Sequence, residues 1–133
     1  MVGIIPESLQ RLEVGHPGLT ELHVVETMHQ RKQKMAELSD AFVALPGGIG
    51  TFEELFEVWT WRQLGYHDKP IGLLNLDGYY DLLLSFIGHS ARCGFIDSRQ
   101  QVLLQVHTEV SALLDALADL APRATAADDY RLI

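Results

Sequence analysis

The residues best suited to chemistry lie in Asp40–Glu54, where an apolar run passes through Pro46 into the glycine-rich turn Gly47–Thr51 and then into a helical pattern. Glycine lets the backbone approach a ligand closely and adopt conformations closed to other residues. A helix beginning near Thr51 would present unpaired amides and the positive end of its dipole to the turn, so a phosphate is the natural ligand. The segment matches neither a nucleotide-triphosphate loop nor the GxGxxG dinucleotide pattern. The alternative is a tight strand-to-helix turn without a ligand.

Glu54 has two interpretations that the residues alone leave open. In the first, Thr51 and Glu54 form a capping box, in which each side chain satisfies the other's backbone amide. In the second, the carboxylate faces the sugar of a nucleotide whose phosphate lies in the turn, and it stabilises an oxocarbenium-like cation or orients water. The neighbouring Glu53 and Glu57 are expected to favour the helix dipole.

The densest positive cluster of the chain is formed by Arg31, Lys32 and Lys34. Helical spacing places Arg31 on one stripe with Met28 and Met35, so its guanidinium shares the apolar face of the helix. An arginine there is expected to hold an anion. Equally, its stem packs while its head reaches solvent or pairs with an acidic neighbour. Lys34 is expected to be solvated.

The helical stretch around Trp59 and Trp61 is apolar around much of its circumference. Core packing and a helix-to-helix contact between two copies of the chain both explain this pattern. The six histidines show no spacing typical of metal ligands, and the single cysteine, Cys93, cannot form a thiolate zinc site. A metal is therefore not expected. No cofactor is expected either.

Short β-like runs alternate with longer helical stretches, the pattern of an α/β fold with a parallel sheet flanked by helices. Ala41–Leu45 and Ile71–Leu74 are predicted as strands buried on both faces. Three more strands are predicted at Val2–Ile5, Leu22–Val25 and Val102–Val106. Helices are predicted at Met28–Ser39, Thr51–Leu64, Tyr79–Cys93 and Glu109–Leu120.

The 133 residues are predicted to form one domain over 1–121, followed by a loose polar tail over 122–133. Gly94 is expected to close the third long helix, and Asn75–Gly78 to form a strand-to-helix turn.

Composition limits the partners. A net charge of −8 would repel nucleic acid, which proteins bind through clustered Lys and Arg. No stretch has the roughly 18 to 20 apolar residues that cross a bilayer, so a membrane partner is not expected. The first residues lack the features of a signal peptide, and the single cysteine suits a reducing compartment, so the cytoplasm is the expected location.

Two motifs make the sequence recognisable: MHQRK at Met28–Lys32 and PGGIGTFEE at Pro46–Glu54. Both, at this separation, resemble the "Lonely guy" family, the cytokinin riboside 5′-monophosphate phosphoribohydrolases. Members of that family were often labelled lysine decarboxylase from the PGGxGTxxE motif. The similarity continues through WTWRQLGYHDKPIGLLNLDGYYDLLLSFI to Gly94–Ile96, so it covers nearly the whole chain.

The resemblance implies a modified Rossmann fold, a homodimer, and hydrolysis of the N-glycosidic bond of an adenosine 5′-monophosphate type nucleotide to free base and ribose 5-phosphate. Arg31 matches the family's catalytic arginine and Glu54 its catalytic glutamate. By this match the loop Gly48–Thr51 binds the 5′-phosphate, Glu54 faces the ribose and its attacking water, and Arg31 anchors the substrate. The positions that match residues around the nucleotide are Met28, Lys32, Gly47, Gly48, Gly50 and Thr51.

The resemblance also predicts one difference. Family members carry a further strand, helix and strand with a GLMG-type segment before Val2–Ile5, so the chain is expected to be N-terminally truncated relative to the family. Nothing marks a pyridoxal-phosphate lysine, since Lys69 beside Pro70 is predicted to lie in a loop. The rival function is a binding module of the same fold that holds a nucleotide or cofactor without cleaving it.

Overall fold

The computed structural model describes residues 1–11 and 18–130, in two compact units, Met1–Ser39 and Asp40–Ile133. The first unit contains two strands that pair in parallel, with Val2 opposite Glu21. Its elements are β1 (Val2–Pro6), α1 (Glu7–Gln10), β2 (Glu21–Val25) and α2 (Met28–Glu37). The two predicted strands and the predicted helix are confirmed, and the short α1 is an addition.

A capping box begins α2. The amide of Gln30 donates to Thr27 Oγ1 at 3.1 Å, and Gln30 Oε1 accepts from the amide of Thr27 at 3.2 Å. The T-x-x-Q pattern from Thr27 to Gln30 is a helix-start signal that is visible in the sequence. In α2 only Ala36 is buried, whereas Met28 and Met35 are exposed. The methionine stripe predicted to be the packed face is therefore wrong, because the helix packs through the side that carries Ala36.

The second unit is a three-stranded parallel sheet with helices on both faces, in the strand order β3-β4-β5. The α/β class and the parallel pairing are thus confirmed. Short 3₁₀ turns follow β4 and α6. The helices and strands are β3 (Phe42–Ala44), α3 (Ile49–Gln63), β4 (Ile71–Leu74), α4 (Asp81–Arg92), α5 (Ser98–Gln101), β5 (Leu104–His107) and α6 (Val110–Leu120).

The central strand β4 is buried on both faces, as predicted. Its alternate side chains serve two layers: Ile71 and Leu73 join the core formed with α3 and α4, while Leu74 packs with Leu113 of α6. In contrast, β3 is an edge strand of this sheet and Val43 is exposed. The prediction of burial on both faces is therefore wrong for β3.

Glycines with left-handed backbone end both long helices of this core. Gly94 has a φ of 82°. The amide of Phe95 donates to the carbonyl of Ser90, and that of Gly94 to the carbonyl of Ala91, each at 3.0 Å. This pair of bonds is the Schellman ending that the sequence predicted after α4. Gly65 has the same φ of 82° after α3.

The C-terminal segment is held in place up to residue 130. The backbone amides of Thr125–Ala126 both donate to Asp68 Oδ2, each at 3.0 Å. Tyr130 is 4% exposed. The prediction of a loose tail is therefore wrong for 122–130, because a buried aromatic ring and a shared carboxylate acceptor fix it; residues 131–133 lie outside the described part.

The two tryptophans of α3 are each 6% exposed. Trp59 belongs to the main core, and its indole Nε1 donates to the carbonyl of Gln100 at 3.1 Å. The ring of Trp61 lies 5.8 Å from that of Tyr130. Of the two interpretations, core packing is confirmed for both tryptophans.

Within residues 1–11 and 18–130, no helix has the length and apolar character to cross a membrane.

Candidate active site

The glycine-rich turn lies at the carboxyl edge of the three-stranded sheet. β3 ends at Ala44, the chain passes through Pro46, and α3 begins at Ile49 with Gly48 as its N-cap. Ligands of open α/β folds bind in the crevice outside the carboxyl ends of the strands. The predicted strand-turn-helix arrangement is confirmed, and the helix begins two residues earlier than predicted.

Close approach explains one glycine of the turn. A Cβ on Gly47 would lie 2.2 Å from Oγ1 of Thr51, so a side chain fits there only if Thr51 or the turn shifts. A Cβ on Gly48 or Gly50 would meet nothing within 4 Å, so the turn is open at these two residues. None of the three has a positive φ. The expectation that the turn needs a backbone closed to other residues is therefore wrong, and the glycines instead provide space.

No side chain of the described residues caps the N-terminus of α3. Its first intrahelical bond runs from the amide of Phe52 to the carbonyl of Gly48 at 3.1 Å. The amides of Ile49–Thr51 precede that bond, in the turn where a helix offers its amides no acceptor of its own. Together with the helix dipole, these amides suit an anion. Thr51 lies inside the helix and is not its N-cap, so the capping-box interpretation is wrong.

Glu54 shares a face of α3 with Thr51, three residues earlier. The two residues are separated by about 4.5 Å along the helix axis. Glu54 is half-buried, whereas Glu53 beside it is exposed. The capping box is thus excluded for Glu54, and the action of its carboxylate on a ligand at the start of the helix stays a prediction.

Two tyrosines that the sequence analysis did not single out hold the turn from the neighbouring connection. Tyr80 Oη donates to the carbonyl of Leu45, and Tyr79 Oη to that of Gly47, each at 2.6 Å. Burial, and to a lesser extent the nearby Tyr79, raises the pKa of Tyr80, so its hydroxyl keeps its proton at neutral pH. Their signal in the sequence is position: they follow β4 at the edge where the glycine turn follows β3.

Asn75 fixes the connection that carries these tyrosines. Its Oδ1 accepts from the amide of Tyr80 and its Nδ2 donates to Asp81 Oδ1, both at 2.7 Å. Asp77 has a φ of 50° and Gly78 one of 72°, so the chain turns sharply between β4 and α4. The turn predicted at Asn75–Gly78 is confirmed.

The remaining predicted site residues lie in the first unit. Arg31 and Lys32 are half-buried on α2, and Met28 is exposed at its start. The Nε atom of Arg31 is shielded from solvent. Lys34 Nζ lies 4.0 Å from Glu37 Oε2 on the same helix.

His67 is a structural group in the loop before β4. Its Nδ1 accepts from the amide of Lys69 at 3.1 Å, so the ring proton lies on Nε2, which donates to the carbonyl of Val58 at 2.9 Å. Burial is the main cause that lowers the pKa of His67. Lys69 lies in this loop, as predicted, and pairs with Asp128. The described residues contain no group of three or more His, Cys, Asp or Glu side chains that could hold a metal ion.

The fold and the turn define a class: an α/β protein with an open glycine-rich turn at the carboxyl edge of a parallel sheet. The model of the family described as "Possible lysine decarboxylase" matches residues 1–117. The chain belongs to this family.

Curated relatives carry a more specific description. The chain is 53% identical over 118 residues to the cytokinin riboside 5′-monophosphate phosphoribohydrolase of Rhodococcoides fascians, covering 88% of this chain and 60% of the relative. It is 48% identical over 123 residues to the enzyme of that name, LOG2, of Arabidopsis thaliana, covering 92% of this chain and 58% of the relative. The resemblance to the "Lonely guy" family is thus confirmed, and the chain spans about three fifths of the length of these relatives.

Proposed function

We propose that the chain is a nucleoside 5′-monophosphate phosphoribohydrolase. It hydrolyses the N-glycosidic bond of adenosine 5′-monophosphate or an N6-substituted derivative, and it releases the free base and ribose 5-phosphate. The observation that carries the proposal is the uncapped N-terminus of α3 behind an open glycine turn, with Glu54 one helical turn after Thr51. The names of the relatives support the same chemistry.

Each part of the turn has a role in this reaction. The amides of Ile49–Thr51 bind the 5′-phosphate at the positive end of the helix dipole. As the bond from C1′ to the base nitrogen breaks, positive charge develops on the ribose, and the Glu54 carboxylate stabilises it. Water adds to C1′, Glu54 orients that water, and the base departs with the bonding electron pair and takes up a proton.

The residues of α2 complete the proposal through their match to the family. Arg31 takes the part of the anchoring arginine, and Lys32 and Met28 that of nucleotide contacts. A guanidinium suits a phosphate, because its fixed fork of donors matches two phosphate oxygens.

The test is base release. The protein is incubated with adenosine 5′-monophosphate and with an N6-prenylated analogue, and the products are separated by chromatography. Glu54→Gln keeps the size of the side chain but removes its charge, and we expect kcat to fall by about 10²- to 10⁴-fold. Glu53→Gln is the matched control, since it makes the same change at the exposed neighbour.

Two outcomes would overturn the proposal. In the first, the wild type releases no base although the nucleotide raises its melting temperature, and the chain is then a binding module. In the second, Glu54→Gln and Glu53→Gln lose the same activity, and Glu54 then has no role of its own.

We further propose that the chain works as a homodimer in the cytoplasm. Apolar side chains on and after α4 support self-association: Phe86 is 64% exposed, and Leu82 and Phe95 are 87% exposed each. Light scattering should give twice the chain mass. Phe86→Asp should lower the measured mass, whereas Val110→Asp on α6 should not.

The exposed Cys93 suits a reducing compartment, and fractionation of the source cells would test the location.

A further inference from the structure

We propose that Tyr79 and Tyr80 are positioning residues, which orient the peptide groups of the glycine-rich turn and thereby set its affinity for a phosphate ester. The identity of the ligand rests on the proposed function; the positioning itself rests on geometry. Each hydroxyl donates to a carbonyl of the segment between β3 and α3, at 2.6 Å. Both tyrosines come from the connection that follows β4.

Tyr79 controls the peptide group whose amide belongs to Gly48. In a trans peptide the carbonyl and the amide point in opposite directions, and the described residues contain no cis peptide bond. A hydroxyl that holds the Gly47 carbonyl therefore directs the Gly48 amide away from Tyr79. Gly48 caps α3, so this amide stands next to those of the first helical turn. Without the hydroxyl, the peptide group is free to rotate, because glycine restricts it little.

Tyr80 controls the entry into the turn. It holds the Leu45 carbonyl, whose peptide group ends at Pro46 and has no amide hydrogen. The carbonyl is thus the polar group through which this peptide unit is fixed. The ring of Tyr80 also meets that of Phe52 edge to face, with centroids 6.2 Å apart. One side chain therefore touches both the end of β3 and the first turn of α3.

The tyrosines are themselves held firmly. Tyr80 is 1% exposed, and its amide donates to Asn75 Oδ1 at 2.7 Å. Tyr79 packs edge to face on Tyr80, with ring centroids 4.9 Å apart, and is 54% exposed. An unsupported surface tyrosine would position nothing, whereas this pair is anchored in the core on one side and ends in the turn on the other.

The expected kinetic signature follows from the ligand group. A phosphate keeps its charge while the glycosidic bond breaks, so binding to it stabilises ground state and transition state equally. Loss of such uniform binding raises KM and leaves kcat nearly unchanged. We expect Tyr79→Phe and Tyr80→Phe each to raise KM for adenosine 5′-monophosphate about fivefold, the usual effect of one lost hydrogen bond. Tyr66→Phe, which removes a hydroxyl from the loop after α3, should change neither constant.

The experiment includes a readout that does not depend on activity. Amide NMR signals of Gly48 and Gly50 are recorded for the wild type, Tyr79→Phe, Tyr80→Phe and Tyr66→Phe. We expect the Gly48 signal to shift or broaden in the first two variants and not in Tyr66→Phe. If the wild type releases no base, the proposed function fails while the glycine signals still test the positioning.

Two results would overturn the inference. One is a Gly48 signal in Tyr79→Phe and Tyr80→Phe that matches the wild type. The other, in an active enzyme, is a fall in kcat at unchanged KM, which would place the tyrosines at the reacting bond. A variant that does not fold is detected by its circular dichroism, and the other tyrosine variant then tests the inference alone.

Discussion

Gly47→Ala tests whether the glycine-rich turn is shaped by contact with its own helix. The added Cβ would lie 2.2 Å from Thr51 Oγ1, and contacts below 3.0 Å are not tolerated without a shift. Rotation of the Thr51 side chain can move Oγ1 away, but it leaves the Thr51 Cβ at 3.0 Å from the same point. Relief of that second contact needs a shift of a few tenths of an ångström in the turn or in the first turn of α3. Overpacking of this kind costs about 1 to 3 kcal/mol of the free energy of unfolding.

A double-mutant cycle separates the cost of the contact between the added Cβ and Thr51 from the other effects of Gly47→Ala on stability. Thr51→Ala removes Oγ1 and Cγ2, which lie 2.2 and 3.4 Å from the added carbon. In that background Gly47→Ala should cost about 1 kcal/mol less than in the wild type, since residues in direct contact couple by about 0.5 to 3 kcal/mol. Gly50→Ala is the matched control: its Cβ meets nothing within 4 Å, and in a helix alanine is favoured over glycine by about 1 kcal/mol.

The assay is equilibrium unfolding in urea, followed by circular dichroism, with the m-value compared between variants. Stability should fall in Gly47→Ala and stay level or rise in Gly50→Ala. The reasoning would be refuted if Gly47→Ala cost the same free energy with and without Thr51→Ala. An unchanged free energy of unfolding in Gly47→Ala would also contradict the close approach of Thr51 to Gly47.

Three further predictions concern other parts of the second unit. Gly50→Ala should weaken the increase in melting temperature given by adenosine 5′-monophosphate, because its methyl group occupies the open side of the turn. Burial lowers the pKa of His67, so near pH 6.5 this side chain binds a proton in the unfolded chain and stays neutral in the folded chain. As the pH is lowered from 6.5, the free energy of unfolding should therefore decrease, by at most about 1.4 kcal/mol per pH unit for this group. Urea unfolding at several pH values should show this part of the pH dependence in His89→Gln, the control, and not in His67→Gln. Tyr130→Ala should lower the free energy of unfolding by about 3 kcal/mol in the same assay, because its buried ring packs on Trp61.

The long elements of the fold were predictable because their periodicity is strong. All five strands and the four long helices lie where the sequence places them, within about two residues. The short helices α1 and α5 were missed, since four residues make little more than one turn and show no period. For α5 a local signal exists: Asp97 accepts from the amide of Arg99, and Gln100 Oε1 accepts from the amide of Asp97. This is a capping box with an aspartate in the first position.

The C-terminal segment could not be predicted in the same way. Its bonds to Asp68 join residues 57 and 58 positions apart, and the donors are backbone amides, which every residue except proline has. No side-chain pattern at residues 125 and 126 therefore predicts their contact with Asp68. Tyr130, an aromatic residue that follows a polar stretch, indicates that the segment has an apolar group to bury.

The same distinction separates the predictable and unpredictable halves of the candidate site. The need for glycine at position 47 is explained by Thr51, four residues later, so its reason lies within the motif itself. Tyr79 and Tyr80 act on carbonyls 32 and 35 residues away, and a carbonyl carries no sequence signature. A sequence motif can thus predict the groups that bind a ligand without predicting the residues that orient those groups. Parallel strands bring such helpers to one edge of the sheet, so the residues that follow the neighbouring strand are where they should be sought.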